Sequence, residues 1–173
     1  MTNSFNYSLK AENFIDFERF YFKKFVLPRS FIFFAMFAAV LFVEIFSEKN
    51  PYIIGICAAA AAVFAFSLYY RYTVGIKKKV NKYINCDSAY LGEVKLTMDS
   101  YTAQWQNIPS PGEAEITTVY PFSVMNVIYD TEKFYCFQVG TEAKILPKDV
   151  IPPLIKVLVD GRITQQKNYV KIK

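Results

Sequence analysis

Two long apolar runs dominate the hydrophobic pattern of this chain. Residues 30 to 47, "SFIFFAMFAAVLFVEIFS", are interrupted by a charge only at Glu44, and residues 51 to 70, "PYIIGICAAAAAVFAFSLYY", carry none. A bilayer core of about 30 Å needs about 20 helical residues, so either run is long enough to cross one. Two such runs in succession disfavour a pair of core helices in a soluble protein. A first run that starts near residue 30 and is followed by a second also disfavours a signal peptide. Only "EKN" separates the runs, which predicts an antiparallel helical hairpin, with Pro51 at a helix start where its missing N–H does no harm. Ala35 and Ala39, and Gly55 and Ala59, repeat at four-residue spacing. They suit either a close packing face or mere tolerance of any neighbour. Glu44 lies one turn from the hairpin tip, where snorkelling to the interface is preferred over a proton-relay role.

The pattern on either side is helical but amphipathic. Phe14, Phe17, Tyr21 and Phe25 recur at offsets that suit a 3.6-residue period, predicting a helix over 12–25 that either lies in the membrane surface or, the preferred reading, packs on the cytosolic domain. Leu27-Pro28 is expected to break it before the first span. After the second span, "SLYYRYTVGIKKKVNKY" passes from aromatic to densely basic. Residues 71 to 85 prolong the helix, with Ile76, Val80, Tyr83 and Ile84 on one face and lysines over the rest.

From residue 89 onward the period shortens to that of strands. Runs over 90–99, 101–107, 114–122, 124–130, 134–139 and 143–147 are separated by turn signals at "SPG", "DTEK" and "GTE". "KDVIPPLIKVLVDGR" then reads as a turn and one short amphipathic helix, its start delayed by Pro152-Pro153. At the other terminus Phe5, Tyr7 and Leu9 alternate and predict an added edge strand. The fold class is therefore an α+β membrane protein: a two-helix transmembrane hairpin with flanking amphipathic helices, and a C-terminal antiparallel β-sheet or open barrel capped by a helix. The boundaries are 1–28 for the N-terminal strand and helix, 29–70 for the hairpin, 71–86 for the basic helix and 87–173 for the β-domain.

Charge distribution changes the functional picture. The net charge of +5 might suggest nucleic acid, but residues 1 to 83 hold 11 Lys/Arg against 5 Asp/Glu, whereas residues 84 to 173 hold 9 against 10. A nucleic-acid module carries its basic patch on the folded domain, and here that domain is nearly neutral. The excess flanks the apolar runs instead: Arg19, Lys23, Lys24 and Arg29 before them, and Arg71, Lys77, Lys78, Lys79 and Lys82 after, with only Lys49 at the tip. The positive-inside rule then puts both termini in the cytosol and the tip outside. Tyr69, Tyr70 and Tyr72 are read as an aromatic belt at headgroup level, with Arg71, Lys77, Lys78, Lys79 and Lys82 as the cytosolic membrane interface. Attraction to anionic lipid is worth about 1 kcal/mol per lysine near the surface. A solvated face obeying the same rule explains those lysines without lipid selectivity and is preferred.

Chemistry is sparse. Histidine is absent, which removes the commonest general base and transition-metal ligand. Cys57, Cys86 and Cys136 have neither disulfide nor metal spacing, and Cys86 after a basic helix is read as a bystander thiol. No phosphate loop, nucleotide turn or nucleophile elbow is present. No cofactor, metal site or catalytic residue is expected. Trp105, the single tryptophan, is read as core with a partner-facing anchor as the alternative. Lys148 is read as capped or solvated, with ligand binding at a strand end as its alternative.

The ordered whole, with "VYPFSVMNVIYDTEKFYCFQVGTEAKILPKDV" as its most telling stretch, resembles the YcxB-like family of small bacterial membrane proteins over nearly the whole length. The resemblance implies a bacterial inner-membrane location and a C-terminal pleckstrin-homology-type β-barrel. Such a barrel ends in a strand of the form "ilPK", matched here by Leu146, Pro147 and Lys148. It brings no activity with it. The expected function is a non-catalytic one, in which a membrane-held module binds a protein, peptide or lipid headgroup. The alternative is a membrane-resident immunity or stress protein that neutralises a specific toxin. Partners are therefore the lipid bilayer and either a protein or an anionic lipid, with no nucleic acid.

Overall fold

The computed structural model describes residues 3–48, 51–86, 92–108 and 115–172. Lys49 at the hairpin tip, the "SPG" turn and the expected strand start at Tyr90 lie outside the described residues, as does the Cys86 side chain. The chain divides into two compact units, one of Phe14–Lys82 and one of Met1–Asn13 with Tyr83–Lys173.

In the first unit the apolar runs form helices as their patterning predicts. Helix α1 (Ala11–Tyr21) passes through a wide π turn (Phe22–Val26) into α2 (Leu27–Val43), which ends in a second π turn (Glu44–Glu48). Helix α3 (Pro51–Tyr70) passes through a third π turn (Arg71–Gly75) into α4 (Ile76–Cys86). The expected break at Leu27-Pro28 does not occur. The Leu27 N–H reaches back five residues to the Phe22 carbonyl. The backbone register thus shifts just before Pro28, whose missing N–H no longer ends the helix.

Both helices are long and apolar enough to span a membrane, and their most apolar 18-residue windows are 6% and 0% buried within the protein. A soluble core helix would be mostly covered. Aromatic side chains join the pair, Phe64 meeting Phe34 and Phe33 with ring centroids 5.3 and 6.1 Å away. The small-residue rows are not the packing face of this hairpin. Ala35, Ala39, Gly55 and Ala59 are all exposed, and a Cβ added at Gly55 would meet nothing within 4 Å.

The second unit carries two four-stranded sheets. The first has the order β1 (Asn3–Ser8), β2 (Glu93–Met98), β3 (Thr102–Ile108), β4 (Thr117–Pro121), antiparallel throughout. The second runs β7 (Glu142–Pro147), β6 (Phe134–Val139), β5 (Val127–Asp130), β8 (Tyr169–Lys171). Helix α5 (Pro153–Thr164) lies between β7 and β8 in sequence and starts at the second proline, as the Pro152-Pro153 pair predicts.

Alternation fixes which side chains enter the core. Phe5 and Tyr7 of β1, Val94, Leu96 and Met98 of β2, and Ala103 and Trp105 of β3 are buried together with Ile128, Phe137 and Leu146 of the second sheet and Val159 and Ile163 of α5. Two departures from the sequence pattern stand out. Residues 122–124 form a short 3₁₀ turn rather than strand, because buried Phe122 turns the chain between the sheets and its N–H bonds the Tyr101 carbonyl at 2.8 Å. Strand β8, where the sequence reading names no element, pairs parallel with β5.

Candidate functional site

The residues read as a membrane exit separate into three roles. Tyr69 and Tyr70 point outward, 66% and 43% exposed, as a headgroup belt requires. Lys78 donates to the Tyr70 hydroxyl at 3.2 Å, and Arg71, Lys77 and Lys82 are exposed, with no ion pair among the described residues. Tyr72 departs from the belt. The π turn swings its ring onto Phe22, with centroids 5.6 Å apart, beneath the guanidinium of Arg19 at 5.8 Å and the ammonium of Lys23 at 5.7 Å. Lys79 also turns inward, pairing with Glu18 at 2.6 Å.

Helix α1 therefore runs beside the continuation of α3, with the Lys79–Glu18 ion pair and the cation-flanked Phe22–Tyr72 ring pair between them. Sequence reasoning missed Glu18, Arg19 and Phe22 as parts of this site. Phe22 is buried while Tyr21 is 45% exposed, so the covered face lies one residue on from the Phe14–Phe25 stripe. The signal was present as Glu18 and Phe22 one helical turn apart, but the longer aromatic stripe concealed it.

In the β-unit the two singled-out residues have different surroundings. Trp105 is 3% exposed, alternating inward on β3 and meeting Phe137 edge-on at 5.2 Å. It is a core residue, because its strand position faces the opposite sheet. Lys148 follows β7 and places its ammonium 2.5 Å from Asp130 Oδ1 and 4.7 Å from the Tyr135 ring centre. Asp130 is 5% exposed at the end of β5, and its other oxygen accepts the Tyr169 hydroxyl. Tyr135 in turn donates to Asp160 of α5 at 2.8 Å.

This cluster ties β5, β6, β8 and α5 together at one end of the second sheet. The hydrogen bond to Asp130, then burial and the carboxylate charge, push the Tyr169 phenol up to about 12. Burial first, with the Asp160 bond and charge, holds Tyr135 above the usual phenol range too. Burial likewise pushes the Cys136 thiol up to about 12, so it is protonated and unreactive at neutral pH. Lys148 neutralises Asp130, and Asp130 and Asp160 each accept a phenol hydroxyl, so the cluster's chemistry is that of a clamp. Among the described residues no group of three or more Cys, Asp or Glu is placed to hold a metal ion. No family model, curated protein or solved structure matches the chain.

Proposed function

We propose that this chain is a non-catalytic integral protein of the bacterial cytoplasmic membrane, related to the YcxB-like proteins. In this reading the β-unit is a pleckstrin-homology-like module on the cytosolic side that binds a protein, peptide or lipid headgroup. The observation that carries it is the pairing of β1 with β2 over six residues, Asn3 opposite Met98 through Ser8 opposite Glu93. Those strands flank the two apolar helices in sequence, so a paired β1 and β2 must lie on one side of any membrane the helices cross. The lysine and arginine bias supports the cytosol as that side. Helix α5 adds support for a partner. Leu154, Val157 and Leu158, at i, i+3 and i+4, are 93%, 79% and 49% exposed.

Membrane topology is tested with reporters fused at the hairpin tip and at the C-terminus. Export-dependent activity at the tip and cytosol-dependent activity at the C-terminus are expected, and the reverse pattern overturns the reading. Photo-crosslinking in cells from residues 154 and 157 tests the binding module. A discrete adduct is expected there and not from a residue such as Lys95 on β2. The absence of any position-specific adduct with protein or lipid argues against an interaction role.

A further inference from the structure

Two adjoining cavities of about 280 and 310 Å³ form one groove along the membrane unit and share Tyr21, Val26 and Arg71. The larger cavity sets Arg29 and Arg71 beside the apolar Phe33, Phe64 and Leu68, and the smaller one continues from Arg71 to Lys79 and Glu18, the more polar end. The apolar end belongs to the two spans and the polar end to the residues where they leave the hydrocarbon.

Charge decides what such a groove accepts. Lys79 and Glu18 neutralise each other at 2.6 Å, whereas among the described residues neither Arg29 nor Arg71 makes an ion pair. The groove therefore offers two guanidinium-bearing residues beside an aromatic slot. Guanidinium recognises phosphate through paired donors, and basic pockets between membrane helices on the cytoplasmic side suit anionic headgroups. A free anion would leave the slot unfilled, and a zwitterionic headgroup would bring a cation toward two arginines. Gly75 lines the groove beside Arg71. A Cβ there would sit 3.6 Å from Arg71 Cγ in ordinary contact, so a longer side chain would crowd the groove wall at Arg71.

We propose that this groove holds one anionic phospholipid of the cytoplasmic leaflet, with its phosphate between Arg29 and Arg71 and an acyl chain along Phe33, Phe64 and Leu68. The inference rests on the reading that the two helices span a membrane.

The test begins with alkaline carbonate extraction of cell membranes. A chain washed off by carbonate overturns the membrane reading, and this inference with it. The extraction-resistant full chain is then taken into mild detergent and titrated with phosphatidylglycerol, phosphatidylcholine or glycerol phosphate under native mass spectrometry. One phosphatidylglycerol per chain is expected, favoured over phosphatidylcholine by about tenfold, a difference of about 1.4 kcal/mol. Glycerol phosphate should not displace it. Arg29→Gln with Arg71→Gln should lower retention about tenfold, while Lys77→Gln with Lys82→Gln, an equal loss of charge outside the groove, should change it less than about twofold. Gly75→Leu should lower retention with every charge in place, which keeps the test decisive if the arginine variant inserts poorly. Equal losses in the two double variants, equal binding of both lipids, or displacement by glycerol phosphate overturns the inference and leaves the membrane reading standing.

Discussion

Asp130 and Lys148 show how far single residues reveal their roles. The chain after the "ilP" strand marks Lys148 as special, yet its partner lies in a segment that reads as a turn, 18 residues away. A pairing of that kind is set by the antiparallel return of β5 through β6 to β7, and local sequence carries no trace of it. The Asp130 side chain is only 7% exposed and that of Lys148 24%. Removing either partner strands a charge that solvent reaches poorly. Asp130→Ala is expected to cost about 2–4 kcal/mol, below the largest buried-pair losses because Lys148 is partly solvated. Lys148→Met should cost at least as much, since it strands the more buried charge. Trp105, the single tryptophan and a member of the β-unit core, reports that unit's denaturant midpoint by fluorescence. The raised Tyr169 phenol adds a pH dependence with a definite sign. The folded state holds the proton up to about pH 12, while the unfolded phenol loses it near its ordinary value of about 10. Its contribution is therefore complete below about pH 10 and is lost as pH climbs toward about 12. A Trp105-monitored midpoint should fall across that window, and less steeply in Tyr169→Phe. An unchanged slope would mean that the Asp130 contact is not what holds the proton.

Among the elements, the two long apolar helices were the most legible because length and lack of charge survive any change of context. The second was expected over 51–70 and α3 covers Pro51–Tyr70. Strand β6 likewise fills 134–139. Elements defined by a distant partner were not legible. The three wide turns in the helical unit follow from how backbone carbonyls are shared, which no apolar period encodes, and a proline rule alone predicts a break where the helix continues. Strand β8 has three residues and no alternation of its own; it exists because β5 offers a free edge. Its attachment is nonetheless extensive. Asn168 donates to the carbonyls of Met125 at 2.6 Å and Phe122 at 3.3 Å, and its own carbonyl accepts from Ile128 at 2.9 Å. Beyond the strand, the Ile172 N–H bonds the Asp130 carbonyl at 2.8 Å. Asn168→Ala is expected to cost about 1–2 kcal/mol, because it takes the amide donor from the Met125 carbonyl and leaves the Phe122 carbonyl only the Met125 N–H at 3.3 Å. Truncation after Lys167 should cost more than Asn168→Ala and Tyr169→Phe together, since it also uncovers the β5 edge. Parallel denaturation of the three variants, read through Trp105, checks the order. A truncated chain as stable as the intact one would make β8 a passive tail.

At the scale of the whole molecule, the sequence order and the folding units do not coincide. The helical unit, Phe14–Lys82, is inserted between β1 and the rest of the β-unit. A reading by segments sets an N-terminal piece at 1–28 apart from a β-domain at 87–173. The alternation of Phe5, Tyr7 and Leu9 nonetheless predicts an edge strand, and the core takes Phe5 and Tyr7 from the far side of the insertion. Tyr7 also donates its hydroxyl to the Ile145 carbonyl of β7 at 3.2 Å, so β1 contributes to both sheets. Residues 87–173 alone would expose the β2 edge and the pockets those two aromatics fill, and the loss of each buried ring costs on the order of 3 kcal/mol or more. That isolated segment is expected to aggregate or to lack cooperative unfolding. The register supplies the remedy. Ser8 pairs with Glu93 at the end of the antiparallel ladder, so an Asn-Gly dipeptide placed between them closes a two-residue hairpin of the type such ladders favour. A chain running from residue 1 through Ser8, Asn-Gly and Glu93 to the C-terminus keeps every side chain of the core cluster and none of the apolar helices. It should be soluble and monomeric by light scattering, with the blue-shifted emission of a buried Trp105 and one cooperative transition in denaturant. Solubility of residues 87–173 without β1, with the same buried tryptophan, would show that the N-terminal strand is dispensable. It would also remove the strand pairing as an argument for placing both ends of the chain on one side of the membrane.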